Sequence, residues 1–406
     1  MKRHHITALI TGIVFAGLLA ACGGGKPVAV PLQTMVPGAA PETETPAPTE
    51  TSPPTEVPPT ATPTETPVPV YGPESYPDDV DPLTGLQVDD PTVLDRRPLL
   101  VKVSNESEQV RPWSGLAFAD HVWEYQMEGF AQTRFTAVIY SQTPERVGSV
   151  RSARLIDVEE LVDMYGGILV NSGASSNRHA GGPPRINELL WAAPWANRVV
   201  NADFGFGPPY LVRIQGVPRE GIASWHTLFA IPEAIWTWAA ENGFDQKQPL
   251  EGLVFSPLTP EGGTPTVEAV VDYPGSGPKH TWRYDAASGR WESYTNDVQD
   301  GDTLTPAGDP LAFDNVVVLY AEHYESNFIE DEPNQLYAVG QELQGEGDAV
   351  LLRDGMRYAV TWRRDAPDQM MRFFDGTGNP IPFKPGTTWF NVVSIYLQPP
   401  DVTFTP

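Results

Sequence analysis

The stretch ERVGSVRSARLIDVEELVDMYGGILVNSG, residues 145–173, decides the fold class. Leu155, Val158, Val162 and Tyr165 recur at helical spacing, and Gly166-Gly167 stop the pattern. ILVNSG then reads as a short, nearly all-apolar strand, and TRFTAVIYSQ upstream alternates as another. Strand, helix, strand in that order predicts a right-handed crossover unit with a parallel pair of strands. Arg151 and Arg154 stand where the helix begins. A helix start carries partial positive charge, so an unpaired arginine there costs about 0.3–1 kcal/mol. Two arrangements remove that cost. In one, carboxylates pair with the guanidinium groups, and Glu124, Glu128 and Asp157 are available. In the other, the helix start and both arginines form a site for a ligand's phosphate or carboxylate. Ser149 and Ser152 add hydroxyl donors to that site. Asn171 and Ser172 end the next strand on the same rim, where open α/β sheets bind ligands.

Working outward, RRPLLVKVSN and DHVWEYQ read as strands, the latter joined by MEGFAQ to TRFTAVIYSQ. IPEAIWTWAAENG reads as a helix with Pro232 in its first turn and Gly243 as its stop. Near residue 250 the texture changes to short strands and Gly/Pro turns. Asp285 with Ser288-Gly289, Asp354-Gly355 and Asp375-Gly376 mark hairpin loops. Trp282, Trp362 and Trp389, each on a predicted strand, read as core residues rather than a sugar platform. The fold class is α+β: an α/β-type N-terminal domain with a parallel crossover unit over residues 76–250, then a mostly β C-terminal domain over 251–406.

The first 21 residues read as a leader. Lys2 and Arg3 precede an apolar run from Ile6 to Ala20, too short for a membrane span. Leu19-Ala20-Ala21-Cys22 resembles a bacterial lipobox, which implies cleavage before Cys22 and lipidation of that cysteine. Cys22 is the single cysteine of the chain, so the folded part has no disulfide, thiolate metal site or catalytic thiol. Residues 22–75 form a Pro/Thr/Glu-rich spacer with too few apolar residues for a core. The net charge is −26. This acidity argues against nucleic acid and against electrostatic attachment to anionic lipid, leaving the lipid on Cys22 as the membrane tie.

The remaining candidates are few. Glu124 and Glu128 lie four apart with Arg134 close behind; paired carboxylates serve acid–base chemistry, but an ion pair with Arg134 or Arg151 is the simpler role. His226, in ASWHTLFA, is the best single candidate for a general base or a ligand-orienting donor. Histidine spacings give no zinc motif. DGTGNP at Asp375 lacks the Gly and Glu of a calcium loop. No nucleophile-elbow, P-loop or dinucleotide fingerprint occurs, so no cofactor is expected.

The chain resembles the YerB-like bacterial lipoproteins. The resemblance begins at DPLTGLQVDD and rests on Asn105, the run Arg111 to Leu116, Glu124 with Glu128, Thr133 to Phe135, Gly148 to Arg154, and His226 to Phe229. Ser149 departs from the family's usual Pro and Thr227 from its Asn. The resemblance implies two family-type domains on a lipid anchor and brings no established activity. The leading reading is an extracytoplasmic, membrane-anchored envelope protein that binds an anionic cell-wall or lipid-linked ligand. Arg151, Arg154 and Ser152 would hold it, Asn105, Asn171 and Ser172 would orient it, and Glu124, Glu128, Arg134 and His226 would complete the site. The alternatives are a protein-partner module without a small ligand, and a hydrolase or transferase acting on a phosphate ester or glycan.

Overall fold

The alternation of the first half produces three long strands: β1 (Leu99–Ser104), β2 (His121–Gln126) and β3 (Thr133–Ile139), each buried along its length. The computed structural model describes residues 68–177 and 182–406. Cys22 and the spacer up to residue 67 lie outside the described residues. Tyr71, which composition assigns to the spacer, exchanges both backbone hydrogen bonds with Phe255.

The central sheet adds β4 (Ile168–Asn171), β5 (Val199–Asn201), β6 (Thr264–Pro265), β7 (Asn315–Ala321), β8 (Gly345–Arg353), β9 (Met356–Arg364), β10 (Arg372–Phe374) and β11 (Thr388–Ser394). Their order is β6-β9-β8-β7-β11-β2-β3-β1-β4-β5, with β10 attached to β9. The expected parallel pair is present, but its partner differs from the one chain order suggests. β4 lies parallel to β1, while β3, the long strand that precedes the helix, pairs antiparallel with both β2 and β1. A hairpin returns β3 beside β2, so the crossover must reach past it to the strand beyond. β7, β11, β2, β1, β4 and β5 consequently all run one way, with β3 set antiparallel among them.

Alternation along these strands feeds two cores. On one face Leu100, Tyr125, Val138 and Leu169 pack against Leu155, Ile156, Val162 and Tyr165 of the crossover helix, residues 155–165. On the other, Val101, Val122, Phe135 and Ala137 meet Ala269, Trp282 and Trp291 from a second, antiparallel sheet in the C-terminal half. Trp282, Trp362 and Trp389 are buried, as read from the sequence. The class is α+β, with a mixed sheet in the first half and mostly antiparallel strands in the second.

The two halves share the central sheet. β11, almost at the end of the chain, lies parallel to β2, and Phe390 stacks on Trp123 with ring centroids 4.2 Å apart. Without β11, β2 becomes an exposed apolar edge. A chain ending at residue 250 should therefore show no cooperative thermal transition by circular dichroism, whereas the full chain should show one. A cooperative melt of the shorter chain would mean that the first half folds by itself.

Candidate functional site

The C-terminal ends of the parallel strands and the start of β3 meet on one rim. β1 ends at Ser104, which is in register with Arg134 of β3. Asn171 at the end of β4 is in register with Asn201 at the end of β5. The segment from Ser149 to Arg154 crosses this rim as an extended strap. Ser104 N donates to Ser149 O at 3.0 Å, Arg151 N to Lys102 O at 3.0 Å, Ser172 N to Arg151 O at 2.9 Å, and Val150 N to Leu228 O at 2.7 Å. Arg151 thus lies in the strap ahead of the helix, and Arg154 immediately precedes the first helical residue. Asp157 caps that turn: its Oδ2 accepts from Arg154 N at 2.7 Å.

The cations of the rim are compensated unequally. Arg154 forms a two-pronged pair with Glu128 at 2.8 and 2.7 Å, and Glu330 from the C-terminal half lies 3.5 Å from its Nη1. Burial opposes the charge on Arg154, but Glu128 and Glu330 more than offset it and hold its pKa above the usual arginine range. Beneath the strap, fully buried Lys102 donates to Asp157 at 2.8 Å and to Thr136 at 2.7 Å. Burial pushes its pKa down to about 7, against the pull of Asp157. Arg151 pairs with Glu106, and both side chains remain partly exposed.

Arg134 is the exception. It is 3% exposed, yet among the described residues its one side-chain hydrogen bond is a 3.4 Å contact from Nη1 to Ser152 O. Among the described residues no carboxylate lies within ion-pair distance, and its Nε has no acceptor. Burial, with Arg154 and Arg151 adding to it and Glu128 and Glu106 opposing at longer range, pushes its pKa down to about 9, so it stays charged at neutral pH. Other buried polar atoms nearby also lack partners among the described residues: Ser149 Oγ, Arg151 Nε, Asn171 Oδ1, Asn201 Nδ2 and His226 Nδ1. Leaving such groups unpaired costs about 1–3 kcal/mol each, and more for a charge.

Several residues singled out from the sequence are otherwise engaged. Glu124 does not pair with Arg134 or Arg151. It is fully buried and accepts from His280 Nδ1 at 2.6 Å, Asn391 Nδ2 at 2.7 Å and Thr133 Oγ1 at 2.8 Å. Asn105 is used up by Thr133 and Arg111. Ser152 Oγ donates to Ser172 O at 3.2 Å, and Asn171 Nδ2 to Gly173 O at 2.9 Å. His226 is buried; its Nε2 accepts from Trp225 Nε1 at 3.1 Å. Burial lowers its pKa, and Glu106 and Arg151 are the charges that act on it. Among the described residues no group of three His, Cys, Asp or Glu is placed to hold a metal.

Sequence reasoning missed Glu106, Glu330, Lys102 and Asn201. A signal existed for Lys102, a lone charge inside the apolar strand LLVKVS. None existed for Glu330, which comes from another part of the chain. Arg154→Ala, which strands Glu128 and Glu330, should cost about 3–5 kcal/mol in urea denaturation. Arg151→Ala, which breaks a partly exposed pair, should cost at most about 1 kcal/mol. Equal costs would contradict this division of roles.

Comparison with known proteins fits the two-half organisation. Residues 83–204 match the N-terminal domain, and residues 269–390 the C-terminal domain, of a family described as a protein of unknown function (DUF3048). The Bacillus subtilis (strain 168) protein YerB, whose name describes it as a lipoprotein, is 29% identical over 322 residues, covering 77% of this chain and 85% of its own. The crystal structure of the YerB protein from Bacillus subtilis superposes with a TM-score of 0.61 at 26% identity, covering 80% of this chain and 99% of that one. The chain belongs to this YerB-like, two-domain family.

Proposed function

We propose that the chain is a lipid-anchored extracytoplasmic protein of the bacterial envelope whose sheet rim binds an anionic ligand through a phosphate or carboxylate. The lipobox ending at Cys22 and the lipoprotein name of the Bacillus subtilis relative support the anchor. The observation that carries the ligand reading is Arg134. A buried guanidinium with one long hydrogen bond, and no carboxylate within ion-pair distance among the described residues, is costly, and an incoming anion would supply the direct partner it lacks. Arg151 contributes a second cation because its pairing with Glu106 is partly exposed and exchangeable. Arg154 belongs to the frame: its three carboxyl contacts hold the strap and leave little for a ligand. The acid–base reading loses Glu124, which is enclosed by four donors.

The full chain in detergent should melt at a higher temperature as inorganic phosphate or a wall-polymer fragment is added, with saturation. Arg151→Ala should weaken that response about tenfold, as expected for a lost charge-assisted hydrogen bond, while barely changing the melting temperature without ligand. A melting temperature that no anion raises would contradict the proposal.

A further inference from the structure

The protein has eleven tryptophans, and two of them are exposed: Trp225 at 57% and Trp191 at 54%. Both are linked to this rim through a neighbouring residue. Trp225 is tied to His226 by its indole N–H, and His226 lies in the field of Arg151 and Glu106. Trp191 packs on Phe204 with ring centroids 4.3 Å apart. Phe204 follows Asp203, and Asp203 faces Gly173 across from Ser152. A Cβ on Gly173, which has φ +86°, would lie 3.1 Å from Ser152 Oγ and 3.7 Å from Asp203 Oδ2. Arg151 is connected to both aromatic groups through its chain neighbours. Val150 before it is bonded to Leu228, two residues from His226, and Ser152 after it faces Gly173 and Asp203. An open trough of about 440 Å³, lined by Ala202, Phe206, Leu211 and Leu228, adjoins the same elements.

Exposed indoles beside buried, unpartnered polar atoms suit a ligand with both flat C–H faces and many hydroxyls. We propose that the anion bound at this rim is carried by a saccharide. Trp225 stacks on one sugar ring, and the Trp191–Phe204 pair stacks on another. Asp203, exposed and without a side-chain partner among the described residues, accepts sugar hydroxyls, and Asn201 Nδ2 donates to a sugar oxygen. The chain's net charge of −26 disfavours densely charged polymers. The preferred ligand is therefore a saccharide with one isolated phosphate or carboxylate, which meets Arg134 and Arg151 at short range. This inference rests on the anion site proposed above.

The test uses the full chain in detergent, with calorimetry and tryptophan fluorescence. The probes are inorganic phosphate, maltotetraose, maltotetraose carrying one 6-phosphate, and maltotetraose oxidised to a terminal uronate. The wild type should bind at least one charged oligosaccharide about tenfold more tightly than either phosphate or neutral maltotetraose, since stacked rings add to the charge contact. The two charged forms identify whether phosphate or carboxylate is preferred. Trp191→Ala/Trp225→Ala changes two exposed side chains, so it should fold. It should lose the tenfold advantage, and the fluorescence response with it, while keeping its affinity for phosphate. A double variant that keeps the advantage would overturn the saccharide proposal and leave the anion site standing. Wild type that binds phosphate but gains nothing from an attached sugar would do the same. Wild type that binds no probe would overturn both.

Discussion

A single buried carboxylate ties the two halves of this protein together. Glu124, in β2, is hydrogen-bonded by His280 and Asn391, which arrive from the second half. His280 passes the connection on through Ser293 to Asp300, at 2.9 and 2.7 Å, and Asp300 lies 3.7 Å from Arg111. Arg111 in turn donates to Asn105, which closes the ring beside Glu124. Removing one member leaves a buried charge unpaired, so the ring locks β2 against β11 and against the second sheet. That lock fixes the height of β1, β2 and β3, and with it the rim on which the candidate site is built.

Above this frame, charge compensation is deliberately uneven in its effect. Arg154, Lys102 and Glu124 have their partners inside the protein, and they set geometry. Arg151 has a partner that solvent can reach. Arg134 has none among the described residues, although it is the most deeply buried of the three rim arginines. Its neighbours in the strap and strand ends leave further donors and acceptors unused. A structure selected for stability alone would have filled this position with a carboxylate or an apolar side chain. A ligand-binding protein keeps such a cation because the ligand completes it, and stability without ligand is the term that falls.

Much of the framework was legible in the sequence, because alternation and helical spacing are local. The strands around Leu99–Ser104, His121–Gln126 and Thr133–Ile139, the helix before Gly166, and the buried tryptophans followed from such patterns. The parallel partner of Ile168–Asn171 did not, since chain order favours the preceding strand and the hairpin removes it from reach. Arg154 with Glu128 could be read from proximity along the chain. Glu124 with His280 could not, because 156 residues separate them. The two exposed tryptophans were overlooked for a related reason: composition counts aromatic residues but does not say which are exposed.

The central claim is that Arg134 is retained for a ligand rather than for the fold. Urea denaturation of Arg134→Met in the absence of any anion tests it most directly, because methionine keeps much of the volume and removes the charge. The account predicts that this variant is at least as stable as the wild type, as when an uncompensated buried charge gives way to an apolar side chain. A loss of several kcal/mol, of the size expected when a buried ion pair is broken, would contradict it and make Arg134 part of the frame.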